Sequence, residues 1–191
     1  MPHTASTRHG ALDGLRRCFL TLATAFLATF AFAASAQATG PASAYDKAFL
    51  TEMVGHHDMA VMMGEMAKEK ATRPELKQLA GEIVRTQTAE MDQMQSWLKR
   101  WYGKRAKTGE MHMSKADMED LAELEKATGP AFDVAFMAMM SVHHTAAVER
   151  ARTARKRGAH PQVRKLAGGI IRAQEREIKQ FRTWLVAWYG N

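Results

Sequence analysis

The sequence predicts an all-α protein, a four-helix bundle assembled from two copies of one helical hairpin with a short helical linker between them. Three observations carry this expectation. Sliding the chain against itself by 87 residues aligns 45–103 with 132–190 without a gap, and 23 of the 59 pairs are identical, so one supersecondary unit is used twice. Within each copy, apolar residues recur at alternating steps of three and four, the spacing of a stripe along a helix. The 14 methionines outnumber the 4 isoleucines and 8 valines together. Unbranched side chains of this kind suit helices better than strands.

In chain order, residues 1–36 read as a cleavable signal peptide. Arg8, Arg16 and Arg17 precede an uncharged apolar run of 17 residues, 18–34, and Ala34-Ser35-Ala36 has the small side chains of a cleavage site. The single cysteine, Cys18, falls in this leader. That excludes a disulfide framework or a Cys-based metal site, and a mature chain without thiols suits an oxidising compartment such as the bacterial periplasm. No later stretch is apolar enough to span a bilayer.

Residues 37–44 are expected to be disordered and 45–191 to form the bundle. The first helix carries Phe49, Met53, His56, Ala60, Met63 and Ala67 in one stripe. Pro74 starts the second helix, where its missing donor costs nothing, and Thr72 with Glu75 has the spacing of a capping box. Its stripe runs from Leu76 through Gln87, Glu90 and Met94 to Trp97, with Gly103 as the stop. The linker, 104–130, should contain a helix from Ser114 to Lys126. Repeat two should then place helices from about Pro130 to Gly158 and from Pro161 to Tyr189. Neither hairpin can bury its stripe alone, so the two must dock.

The formal net charge is +7. Without the first 38 residues, 24 bases face 19 acids, and the excess lies in the last third, from Arg150 to Lys165 around a predicted turn. This is either a solvated helix end or a contact for anionic lipid or an acidic partner. Export leaves nucleic acid out as a target.

The hairpin register locates a candidate site. With the turn centred near residue 73, His56 lies level with Glu90 and Met53 with Met94, and in repeat two His143 lies level with Glu177. Gln87 and Gln174 sit one turn away. Burying such groups without partners costs about 1 to 3 kcal/mol each, so each His–Glu pair must be hydrogen-bonded or metal-bound. His56 should face the seam and His57 its flank. Around the doublet the first repeat adds Met59, Met62, Met63, Met66, Met91 and Met94, and the linker adds Met111-His112-Met113. Thioether sulfur with neutral imidazole selects Cu(I), with Cu(II) as a second valence, while Glu90 and Glu177 would orient the rings. The plainer readings are a packed Met stripe and a structural His–Glu pair. In repeat two, Met59, Met62, Met63 and Met66 become Ala146, Glu149, Arg150 and Thr153, so the first hairpin should bind more metal.

The pattern Asp-x-x-Phe-x-x-x-Met-x-x-His-His-x-x-Ala at 46–60 and again at 133–147, followed by Gln-x-x-Glu and Trp, resembles the exported family described as domain of unknown function 305. That resemblance implies a ferritin-like four-helix bundle and, in members of the CopM type, periplasmic copper binding and tolerance. The ligands it implies are Met53, His56, His57, Met59, Met62 and Met63, with Met140, His143 and His144 as a second set. The expected role is sequestration or transfer of copper without turnover, handing over to another metal-handling protein of the periplasm. Three other readings stand beside it: a di-iron bundle, for which no Glu stands three residues before any of the four histidines; a non-covalent haem bundle; and a metal-free adaptor with a Met-rich partner surface.

Overall fold

The computed structural model describes residues 43–109 and 114–190. The leader and Met111-His112-Met113 lie outside the described residues. Five helices and no strand are found among them: α1 (Ala44–Lys70), α2 (Pro74–Tyr102), α3 (Lys115–Lys126), α4 (Gly129–Arg157) and α5 (Pro161–Tyr189). None is long and apolar enough to cross a membrane.

Local chemistry sets the boundaries. The Ser43 hydroxyl caps α1 by accepting from the Asp46 amide, and Pro74 and Pro161 open α2 and α5. Gly103 and Gly190 close the same two helices at φ 73° and 70°, a left-handed conformation that costs glycine little. A reciprocal capping box between Ser114 and Asp117 starts α3. The box expected between Thr72 and Glu75 does not form. Arg73 is the capping position of α2 and supplies no side-chain bond, because Thr72 is used elsewhere.

α1 packs along α2 and α4 along α5, and the two hairpins meet chiefly through α1 and α4, with α3 laid against both. α1 and α4 run antiparallel, so the first half of α1 meets the last half of α4. The apolar interior is accordingly divided. One core joins Phe49, Leu50, Met53 and Val54 to Ala147, Val148 and Ala151, with Met94, Trp97 and Ile170. The other joins Met59, Met63 and Ala67 to Phe132, Phe136 and Met140, with Ile83, Phe181 and Leu124 of α3. Between them lies a polar layer made by the two His doublets and the buried Gln87 and Gln174.

Each hairpin also completes the turn of the other. The buried Asp46 carboxylate accepts from the Ala159 and His160 amides in the second turn, at 3.0 and 2.8 Å. The buried Asp133 carboxylate accepts from the Thr72 amide at 2.8 Å, from the Thr72 hydroxyl, and from the Tyr189 hydroxyl at 2.7 Å. Replacing Asp133 by Ala removes three hydrogen bonds whose donors are only part-buried. At roughly 0.5 to 1.5 kcal/mol for each bond, Asp133→Ala should lower the unfolding free energy by roughly 2 to 4 kcal/mol, measured as a shift of the urea midpoint.

Candidate metal centre

The structure reverses the expected roles within each doublet. His57, not His56, reaches the seam of the first hairpin, where Nε2 lies 2.8 Å from Glu90 Oε2. His144, not His143, does the same in the second, with Nε2 2.6 Å from Glu177 Oε2. The first pair is an aligned hydrogen bond, whereas the second is a charge contact without hydrogen-bond alignment. A single residue of register separates the expected and the observed pair, and on a helix that is 100° of rotation.

His56 and His143 turn instead toward the helix crossing and stack on each other, ring centroids 3.6 Å apart and planes 24° apart. Both lie at equivalent positions of the repeat, so the pseudo-twofold axis passes through the stack. His143 Nε2 lies 2.9 Å from the His56 carbonyl oxygen. A carbonyl only accepts, so Nε2 carries the proton and Nδ1 keeps its lone pair. His57 Nε2 likewise faces an acceptor, the Glu90 carboxylate. His56 Nδ1, His57 Nδ1 and His144 Nδ1 are buried without a hydrogen-bond partner, as are both amide atoms of Gln87 and Gln174.

Burial, and then the neighbouring His143, holds His56 far below its ordinary imidazole value. Burial likewise lowers His143 from 6.5 to about 4, against the opposing effect of its bond to the His56 carbonyl. Both rings are therefore neutral and available as ligands at neutral pH.

The stack floors an open cavity of about 680 Å³ between α1, α3 and α4. Its two ends are related by the repeat but differ in chemistry. One end carries Met59, Met63 and Met139, and the equivalent positions at the other are Ala146, Arg150 and Glu52. Asp117 and Asp120 of α3 also line it.

The candidate ligands thus fall into separate groups. Met59 and Met63 join His56 and His143 in the cavity. Met53, Met94 and Met140 are wholly buried in the two cores and do not line the cavity, whereas Met59 and Met63, also buried, border it. Tight packing claims the first three, as it does most buried methionines. Met62 and Met66 pack half-buried against the second core, and Met91 lines a separate pocket with Asp58 and Asp92. Met139 is a lining residue absent from the expected set. Its repeat partner is Glu52, so comparison of the two copies gave no reason to choose it. Among the described residues no three His, Cys, Asp or Glu gather around a point fit for an ion, which leaves the di-iron reading without its carboxylates. A soft ion held partly by sulfur fits the donors present.

The sequence profile of the family described as Domain of unknown function (DUF305) matches residues 46–189. The chain belongs to this family. Among solved structures, "CopM in the Cu(I)-bound form" is 36% identical over 76% of this chain and 98% of that one, with a TM-score of 0.67. "CopM in the Cu(II)-bound form" is 38% identical over 75% and 97%, with a TM-score of 0.68. A DUF305 fragment from Deinococcus radiodurans is 26% identical over 76% and 97%, with a TM-score of 0.66. No curated protein sequence matches the chain.

The depressed imidazoles make the DUF305 fold acid-sensitive. An unfolded histidine takes up a proton near 6.5, while His143 in the fold does so only near 4 and His56 lower still. The unfolded state therefore binds more protons below pH 6.5, so stability is full above that value and is lost as pH falls toward 4. The thermal midpoint should drop between pH 7 and 5, ahead of most carboxylate titration, and drop less in His143→Gln. A midpoint unchanged across that interval would contradict the buried neutral stack.

Proposed function

We propose that this protein binds copper as cargo, Cu(I) in preference to Cu(II), in the cavity at the α1–α4 crossing, and carries out no turnover. The observation that carries the reading is the lining itself: three thioethers, Met59, Met63 and Met139, beside two neutral imidazoles. Soft sulfur and imidazole together suit a monovalent soft ion better than a hard one. Copper-bound forms of CopM, which share more than a third of their aligned residues with this chain, support it.

Each group has a distinct task in this reading. The methionines hold the ion without a charge, His143 is fixed in one tautomer by the His56 carbonyl, and Asp117 and Asp120 place negative charge on the cavity for an arriving cation. His57 and His144, each beside its Glu inside a hairpin, have Nδ1 atoms buried without a hydrogen-bond partner and form a second pair of candidate ligands. The four long helices serve as a ferritin-like bundle whose first hairpin supplies most of the sulfur. Sequestration or transfer in the periplasm, following export by the leader, is the role that suits a site of this kind.

The test is a Cu(I) titration of residues 37–191 against a competing chromogenic chelator. Wild-type protein should take copper from the chelator. Met59→Leu combined with Met63→Leu and Met139→Leu should lose the tightest ion while keeping helical content, since Leu and Met are close in volume. Equal copper uptake by this variant would refute the cavity site. If His57 is also a ligand, Glu90→Gln should weaken binding by about 10- to 100-fold, the usual effect of removing a carboxylate that orients a metal-bound imidazole.

A further inference from the structure

The repeat that duplicates the fold does not duplicate its charge. The second turn and its flanks, 152–165, carry six bases and no acid, whereas the equivalent stretch of the first, 65–78, carries four bases and three acids. Both stretches form the same helix end, proline-started helix and turn, so the fold does not require the extra cations. Lys or Arg in the last turn of a helix complements its dipole, and hairpin one meets that need with Lys68 and Lys70 alone.

The same end of the molecule collects more. Tyr102 donates to the Ser43 carbonyl at 3.0 Å, Trp101 stacks on His160 at 4.0 Å, and Asp46 binds the second turn. The start of α1 and the end of α2 therefore lie beside that turn, bringing Lys47, Lys99 and Lys104 with them. From 93 to 103 there are two bases and no acid, against one base in the equivalent 180–190, and Lys104, Arg105 and Lys107 follow directly. Of the six bases in 152–165, Arg152 alone pairs with a carboxylate among the described residues, Glu175 at 2.7 Å. Asp46, which binds the turn, is buried and spent on backbone amides. Tyr45, Trp101 and Tyr102 stand half-buried within this face.

We infer that this end docks on a membrane surface rich in anionic phospholipid headgroups. Spread-out cations interleaved with amphipathic aromatic rings match a sheet of phosphates at a bilayer interface, where each surface cation contributes and salt weakens the sum. The inference is independent of whether copper binds.

The test uses residues 37–191, which form one compact unit, with large vesicles of phosphatidylglycerol and phosphatidylcholine or of phosphatidylcholine alone. Binding should require the anionic lipid and fade at high salt. Arg155→Glu with Lys156→Glu and Lys165→Glu should weaken it at least about a hundredfold, taking about fivefold per cation removed. The same change of charge at the opposite end, Lys68→Glu with Lys126→Glu and Arg182→Glu, should weaken it far less, with helical content equal in all three proteins. Equal losses from the two variants would overturn the proposal, as would binding to a soluble acidic polypeptide without binding to anionic vesicles.

Discussion

The stack of His56 on His143 fixes where the two hairpins cross, and much of the remaining structure follows from putting imidazoles there. Two neutral rings in face-to-face contact define one point on each of two antiparallel helices. Apolar side chains cannot run continuously through that point. They collect above and below it as two separate cores, and the polar layer between them satisfies only part of its hydrogen bonding. His143 does so through the His56 carbonyl and His57 through Glu90, while Gln87 and Gln174 keep unpartnered amides.

That layer also decides what chemistry is available. Rings kept neutral by burial retain lone pairs that water would otherwise share with protons. They sit at the floor of a cavity with thioethers to one side, so a polar break in the packing carries the donor types that the proposed copper site would use. The cost is acid sensitivity, because protons compete for the same nitrogens. Under the proposed function, stability and ligation depend on one set of atoms.

Much of this was legible in the sequence. The prolines and glycines placed α2 and α5 to within a residue, because punctuation by Pro74, Pro161, Gly103 and Gly190 acts locally, whereas α1 starts at Ala44, inside the stretch expected to be disordered. The polar layer was legible too, since a His and a Glu on an apolar stripe cannot be left unpaired. Which His of each doublet makes the pair was not, because an antiparallel register estimated from a turn is good to about one residue, and one residue redirects a side chain. Thr72 was misassigned for a related reason: its partner, Asp133, is 61 positions away, and only the docking of hairpins brings them together. Met139 was hidden by the repeat itself, which pairs it with Glu52.

The exchange of Asp46 and Asp133 between the turns has a consequence for how such a molecule can vary. A lone hairpin would find its missing carboxylate only in a second copy of itself, and its assembly would then depend on concentration. Any substitution near the axis would also be enforced twice by symmetry. Joining the copies in one chain through 104–128 makes the association intramolecular. It also frees the halves to differ, so that one end of the cavity can be all sulfur while the other carries Glu52 and Arg150. A chemically one-sided site on a twofold frame needs halves that differ, and a chain that is its own partner supplies them.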